Sequence, residues 1–327
     1  MSKFNFPLVL ATWIVSSLVC SYSIAQERQV IVVVGAPGLS EYGKQFEEWA
    51  NQWESTIETS QDSSLSLVKI GLDPVGETTD LEQLKSAIEA TDQATDELWI
   101  VLIGHGTDDR KNSKFNLRGQ DVTAQQINQW ITPLPCRTIL INCSSASGGF
   151  INKLKGNNRI VITATKSPAQ HNFARFGQYL SEAISDPALD LDKDQQTSLL
   201  EAFVAASSRV QEFYVQETRL ATELAVIDDN GDGLGTPADW FEGTRVVRKS
   251  KSGEPDGFTA NQIFLVRRGA EAKLSSELRK QRDELEVKLE AIRVQKKSFD
   301  EDGYYRAIEP ILLELAKIYD SVEKSDE

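Results

Sequence analysis

Short apolar runs alternate with amphipathic segments along the chain before residue 225. The apolar runs predict strands at residues 30–34, 65–70, 99–103, 138–141 and 160–165. Apolar residues at helical spacing predict helices at residues 42–57, 79–90, from 123 onward, 176–184 and 195–224, with a small hairpin at 115–117. Since fully apolar strands joined by helices are buried on both faces, the pattern predicts an α/β fold with a mostly parallel sheet and helices on both sides.

The pattern changes after residue 224. Residues 244–247 and 262–266 have the β-rich character of short strands. From residue 271 the chain is highly charged and helical, with a break at residues 298–303. We therefore expect one main domain over residues 26–269 and a charged helical hairpin over residues 270–327, which packs against itself or against a partner.

The amino-terminal segment has the three parts of a secretory signal peptide. Lys3 precedes an apolar stretch over residues 6–19, and Ser23-Ile24-Ala25 provides a small-x-small cleavage site. An uncleaved anchor is the alternative, but the stretch is shorter than the ~20 residues that a bilayer span needs. The sequence therefore predicts a signal peptide over residues 1–25, cleavage after Ala25, a secreted or periplasmic product and no stable membrane span after cleavage.

The net charge of the chain and the number and spacing of its cysteines exclude some functions. The 327 residues include 49 acidic and 35 basic residues, giving a net charge of −14, which argues against a nucleic-acid ligand. Of the three cysteines, only Cys136 and Cys143 lie beyond the signal peptide. They flank one predicted strand and are therefore roughly 20 Å apart, too far for a disulfide. An unpaired thiol in an oxidising compartment has to be buried or used.

Two predicted strands end in reactive side chains. His105 follows the third strand within Gly104-His105-Gly106, and Cys143 follows the fourth within Asn142-Cys143-Ser144. If these strands are parallel neighbours, both side chains meet at the carboxyl edge of the sheet, where imidazole and thiol can perform thiolate catalysis. The backbone N–H groups of Gly106 and Cys143 would then form an oxyanion hole. A core cysteine and a histidine bonded to backbone are the alternatives.

These motifs resemble those of the caspase-like cysteine peptidases, and within them the legumain (asparaginyl endopeptidase) branch, over residues 29–184. The resemblance implies a His105–Cys143 dyad with Gly106 in the oxyanion hole. It also implies that the edge of the fifth strand, at Thr165, Lys166 and Ser167, shapes the main specificity pocket. The substrate would be a protein or peptide, and the chemistry would require no cofactor.

The sequence also departs from the legumain pattern. Legumains carry an acidic residue two positions before the cysteine, where this chain has Ile141, so a preference for asparagine is not implied. The Gln-Ala-Cys signature of caspases is also absent, so a preference for aspartate is not implied either. His171 follows the fifth strand and is a candidate for the substrate pocket, for a replacement base or for an ordinary surface position.

An acidic loop at residues 228–239 has the spacing of a calcium-binding loop. Positions 1, 3, 5, 6, 7, 9 and 12 of such a loop are occupied by Asp228, Asn230, Asp232, Gly233, Leu234, Thr236 and Asp239. The side-chain oxygens and the Leu234 carbonyl suit a calcium ion, and glycine at position 6 permits the sharp turn. The same residues are also typical of an ordinary turn. Calcium with a structural role is therefore one of two interpretations.

Two functions follow from the sequence. The first is an exported cysteine endopeptidase that uses Cys143 and His105 and passes through a thioester acyl-enzyme. The alternative is a catalytically silent caspase-like scaffold that binds protein partners through residues 270–327.

Overall fold

The computed structural model describes residues 28–248, 253 and 255–323. The predicted signal peptide at residues 1–25 lies outside the described residues, and the predicted division into a main domain and a hairpin region stays a prediction. Within the described helices, none combines the length and the apolar character that crossing a membrane requires.

The strands and helices are numbered in chain order. The strands are β1 Arg28–Val34, β2 Leu65–Ile70, β3 Glu97–Ile103, β4 Gly106–Asp108, β5 Ser113–Phe115, β6 Val122–Thr123, β7 Arg137–Asn142, β8 Arg159–Thr163, β9 Val226–Asp228, β10 Thr236–Pro237, β11 Phe241–Glu242 and β12 Arg245–Val246. The helices are α1 Ser40–Ser60, α2 Asp80–Glu89, α3 Ala124–Ile131, α4 Gly149–Leu154, α5 Phe176–Ala183, α6 Leu199–Gln216, α7 Gly269–Lys273, α8 Ser276–Val294 and α9 Glu301–Glu323.

A central sheet with the order β10-β9-β8-β7-β3-β1-β2 organises the molecule. The strands β8, β7, β3, β1 and β2 are parallel, whereas β9 runs antiparallel to β8 and β10 antiparallel to β9. The short antiparallel end of the sheet was not predicted, because β9 and β10 contain only 3 and 2 residues. Such short segments give no readable periodicity.

Helices cover both faces of the sheet, as the apolar strands require. Along β1, the side chains of Val30 and Val32 join a core with α1, α5 and α6, whereas Ile31 and Val33 join a core with α2, α3 and α4. Successive side chains of a strand point to opposite faces, so each central strand contributes to both cores. The predicted fold of a mostly parallel sheet with helices on both faces is confirmed.

Local capping fixes where several helices begin. At α3, the Thr123 hydroxyl accepts a hydrogen bond from the Gln126 backbone N–H at 3.2 Å, and the Gln126 side-chain oxygen accepts one from the Thr123 N–H at 3.0 Å. Thr123 and Gln126 therefore form a capping box at the predicted start of this helix. A box of the same kind, at Ser198, starts α6 later than the predicted residue 195. The helix also ends before residue 224, because Thr218 adopts a left-handed conformation with φ +53°.

Three of the short β segments differ from the prediction. The expected hairpin at residues 115–117 is a three-stranded antiparallel sheet of β4, β5 and β6. Residues 244–247 contribute the two-residue strand β12, which pairs with β11. The strand expected at residues 262–266 is wrong. This segment is held through the carbonyls of Phe264 and Leu265, which accept hydrogen bonds from the buried Arg28 guanidinium at 3.1 and 2.6 Å.

The predicted carboxyl-terminal helical hairpin is confirmed and has a small core of its own. Apolar residues of α8 and α9 pack together, among them Leu285, Leu289, Leu315 and Ile318. Polar contacts tie the residues around the start of the hairpin to the amino ends of the parallel strands. Ser276 donates to Asp96 at 2.7 Å, and Arg267 lies 3.6 Å from Glu97. The base of the hairpin therefore lies at the edge of the sheet opposite to His105.

We predict that Arg28→Met lowers the free energy of unfolding by about 3 kcal/mol, because it strands the Asp62 carboxylate and two carbonyls that Arg28 now satisfies. Urea denaturation of the purified chain measures the change. Lys85→Met is the matched control, since Lys85 and Glu89 form an exposed pair whose loss costs less than about 0.5 kcal/mol. Equal effects of the two substitutions would contradict the structural role of Arg28.

Candidate active site

His105 and Cys143 follow neighbouring parallel strands. Leu102 of β3 pairs with Asn142 of β7, so Cys143 lies level with Ile103, and His105 lies two residues farther along. The Cys143 N–H extends the ladder by donating to the Leu102 carbonyl at 2.9 Å. Both side chains face the layer of α1, where the His105 ring meets the aromatic rings of that helix. Strand order alone therefore brings the two residues to one edge and one face of the sheet.

Burial separates Cys143 from solvent. The residue is 1% exposed and belongs to the core between the sheet and α1 with α5. A Cβ atom placed on Gly177 of α5 would lie 2.8 Å from the Cys143 Cβ and 3.0 Å from the Trp49 ring, so the helix lies directly on the cysteine. Burial, and the negative charge of Glu223, raise the pKa of the Cys143 thiol far above its usual value. The thiol is therefore protonated at neutral pH and enclosed.

The His105 imidazole is held by aromatic rings and one carbonyl. Its Nε2 lies 3.2 Å from the Pro37 carbonyl oxygen. Since a carbonyl only accepts hydrogen bonds, Nε2 carries the proton in the neutral ring and Nδ1 keeps the lone pair. The ring centroids of Tyr42 and Phe46 lie 5.1 and 5.2 Å away, edge-on. Partial burial lowers the pKa of His105. Among the described residues, no hydrogen bond joins His105 to Cys143.

The two backbone donors expected in the oxyanion hole are both engaged in this structure. The Cys143 N–H bonds to the Leu102 carbonyl, and the Gly106 N–H donates to the Ser145 hydroxyl at 3.3 Å. Ser145 in turn donates to the Gly106 carbonyl at 3.2 Å. A Cβ atom on Gly106 would lie 2.5 Å from the Ser144 hydroxyl. Serine hydroxyls, not the thiol, therefore lie beside the glycine that follows His105.

The sequence analysis missed these serines as contacts of Gly106, although it contains their signal. Residues 144–149 are all small, which permits a close approach of the two loops. One position along a strand reverses the facing of a side chain. The Cys143 side chain therefore faces α1, whereas the hydroxyls of its neighbours Ser144 and Ser145 lie beside Gly106.

Thr165 braces the loop after β8 and faces inward. Its hydroxyl accepts from the Gly148 N–H at 2.9 Å and lies 3.2 Å from the Ser147 hydroxyl. The backbone N–H groups of Lys166 and Ser167 both donate to the Gln170 side-chain oxygen, at 2.9 and 3.2 Å. The predicted pocket residues therefore form a braced turn in which Thr165 is buried and Lys166 is exposed.

Two further residues of the sequence analysis lie outside the centre of the site. His171 is exposed, while its neighbours Asn172 and Phe173 line a cavity next to His105. Ile141 is fully buried on the α1 face of β7. Core packing therefore explains why this position is apolar, and its identity gives no information on the specificity of a pocket.

The predicted calcium loop is closed by its own hydrogen bonds. The Asp228 carboxylate accepts from the N–H groups of Gly231 and Gly233, both at 2.8 Å, and burial raises its pKa. Asn230 accepts from the Asp232 N–H at 2.9 Å, and Asp232 from the Leu234 N–H at 2.7 Å. These contacts stabilise the turn without an ion.

The carboxylates of the predicted loop do not converge on one point. Asp239 is exposed and lies 3.8 Å from Arg248 instead. Within the part of the chain that the structure describes, the one group of three or more acidic, histidine or cysteine side chains whose ligand atoms lie within 4.8 Å of one another is Asp190, Asp192 and Asp194, in another loop. Calcium binding at residues 228–239 stays a prediction.

Comparisons with known proteins give structural likeness only. No family model matches the sequence, and no curated protein matches it. Among solved structures, the Drosophila initiator caspase Dronc aligns with 72% of this chain and 94% of its own, at 13% identity and a TM-score of 0.43. Caspase-1 from Spodoptera frugiperda aligns with 62% of this chain and 86% of its own, at 9% identity and a TM-score of 0.38. At these values the likeness assigns no activity.

We predict that His105 makes the protein less stable as the pH falls. Its pKa is lowered in the folded state from 6.5, so below about pH 6.5 the unfolded chain binds more protons and stability is lost. The difference in free energy of unfolding between the native protein and His105→Gln should therefore shift in favour of the variant as pH falls through this range. Urea denaturation at a series of pH values measures it. A difference that does not vary with pH would contradict the lowered pKa.

Proposed function

We propose that this chain is a catalytically silent caspase-like scaffold that binds protein or peptide partners. The complete burial of Cys143 beneath Gly177 carries the proposal. Cysteine catalysis needs an accessible thiolate, a base within hydrogen-bond reach and free donors for the oxyanion. Cys143 is protonated and enclosed, His105 bonds to Pro37, and both backbone donors are occupied.

The fold leaves two separate regions for partners. At the carboxyl edge of the sheet, the half-buried rings of Tyr42, His105 and Phe173 offer a surface for a peptide. At the opposite edge, the hairpin of α8 and α9 exposes Leu312 and Leu313 by 43% and 56%. A protein partner bound to the hairpin would therefore leave the carboxyl edge of the sheet open.

An exported cysteine endopeptidase is the second candidate. It is favoured by one observation, the position of His105 and Cys143 on the same face at the ends of neighbouring parallel strands. Its activity would require α5 to move away from β7, since Gly177 now covers the thiol. Export, the legumain branch and calcium binding at residues 228–239 belong to this candidate as predictions.

Thiol reactivity separates the two candidates. We expect Cys143 to react with iodoacetamide at least ~100-fold more slowly in the native protein than in urea, since a buried, protonated thiol is inert. Peptide mapping by mass spectrometry locates the label, and the Cys136→Ala variant removes the other described thiol from the readout.

The second arm uses Cys143→Ala. We expect this variant to fold and to retain peptide binding, at a cost in stability below about 2 kcal/mol for a lost core sulfur. Rapid stoichiometric labelling of native Cys143, together with hydrolysis of a peptide library that disappears in Cys143→Ala, would instead establish the peptidase.

A further inference from the structure

A cavity of about 310 Å³ lies next to His105, whose ring contacts two of the lining residues, Tyr42 and Phe173. It lies between the start of α1, the loop after β8, the end of α6 and residues 219–222. The rings of Tyr42 and Phe173 stack with their centroids 4.6 Å apart and form one wall of the cavity. The Tyr42 ring also meets the His105 ring edge-on, with their centroids 5.1 Å apart. The volume is at the lower end of the range for small-ligand sites.

Arg175 contributes a fixed cation to this cavity. Its guanidinium carbon lies 4.0 Å from the centre of the Phe213 ring and 5.6 Å from that of Phe173. Within the described residues its guanidinium has no hydrogen bond to protein and no carboxylate within ion-pair distance. Stacking on an aromatic face holds the guanidinium plane while leaving its N–H groups available.

Arg219 adds a second cation at the rim of the cavity. It is exposed, and among the described residues its side chain has no carboxylate partner either. The residues that line the cavity include these two cations and no acidic residue, in a chain that has 14 more acidic than basic residues. The local charge of the cavity is therefore opposite to that of the molecule as a whole.

Glu223 interacts electrostatically with Arg175 but, among the described residues, forms no ion pair with Arg175 or Arg219. Its carboxylate accepts hydrogen bonds from the backbone N–H groups of Arg175 and Phe176, at 2.9 and 3.1 Å, and from the Tyr214 hydroxyl at 3.1 Å. Burial raises its pKa, and these hydrogen bonds and the charge of Arg175 act in the opposite direction. Glu223 therefore acts as a support beneath the cavity, and the guanidinium N–H groups remain free for a ligand.

We propose that this cavity binds a carboxylate group through Arg175 and Arg219. Guanidinium groups bind carboxylates by paired, charge-assisted hydrogen bonds, and the aromatic walls suit the aliphatic part of such a ligand. The carboxylate belongs either to the side chain of a bound peptide or to a small free acid. The inference deepens the proposed function and rests on it, because it names the ligand class of the scaffold.

The experiment compares carboxylates with their uncharged amides by calorimetric titration of the full chain. One arm uses the peptide acetyl-Ala-Glu-Ala-amide against acetyl-Ala-Gln-Ala-amide, and the other uses glutarate against glutaramide. We expect the carboxylate to bind at least ~10-fold more tightly than its amide, as for one charged hydrogen-bonding group, and binding to weaken with added salt. If only the peptide carboxylate binds more tightly than its amide, the ligand is a peptide. If glutarate also binds more tightly than glutaramide, a carboxylate group is sufficient for binding.

The variants Arg175→Gln and Arg219→Gln should each weaken carboxylate binding about 10-fold and leave amide binding unchanged. Arg245→Gln is the matched control, because Arg245 is exposed on β12, outside the cavity. If Arg175→Gln fails to fold, the exposed Arg219 still decides the question. Equal binding of acids and amides, or a loss that Arg245→Gln reproduces, overturns the proposal. Such a result would leave the slow labelling of Cys143 unchanged. Failure of the carboxylate proposal can therefore be distinguished from failure of the proposed scaffold function.

Discussion

The alternation of side chains along β3 and β7 is the constraint on which the site depends. Both strands are buried on two faces, so each residue along them points either toward the layer of α1, α5 and α6 or toward that of α2, α3 and α4. Cys143 continues the first series after Ile139 and Ile141. Its thiol is therefore directed into the helix layer, where Gly177 closes over it. A residue one place farther along the chain meets Gly106 instead.

Close approach of backbone segments forms a braced loop at this edge of the sheet. Gly106, Gly148 and Gly177 each occupy positions where a Cβ atom would clash with a neighbouring segment. The hydroxyls of Ser145 and Thr165 then satisfy the polar groups that this close packing buries. The result is a closely packed, buried loop with His105 at its margin, in contact with the rings of Tyr42 and Phe46.

Different structural features lie at the amino and the carboxyl ends of the parallel strands. At the amino ends, Arg28, Glu97 and Arg267 fix the segment that leads into the helical hairpin. At the carboxyl ends lie His105, the serine loop and the arginine-lined cavity. Since buried ionic contacts are costly to break, the segment that precedes the hairpin is anchored to the amino ends of the strands. A partner on one end need not compete with a ligand on the other.

The sequence by itself determined the sheet and most of its helices. Continuous apolar runs such as residues 99–103 can only be buried strands, and the capping box at Thr123 fixes the start of α3 without reference to the rest of the chain. Short elements such as β9 and α4 could not be predicted, because so few residues carry no periodicity. The sequence also determined that His105 and Cys143 each follow a strand, and the structure shows that these strands are parallel neighbours. Only the tertiary structure decided that the thiol is enclosed and that Arg175 and Arg219 share a cavity. Both facts depend on contacts between segments far apart in the chain, such as Gly177 against Cys143 and α6 against the loop after β8, and no local pattern encodes those contacts.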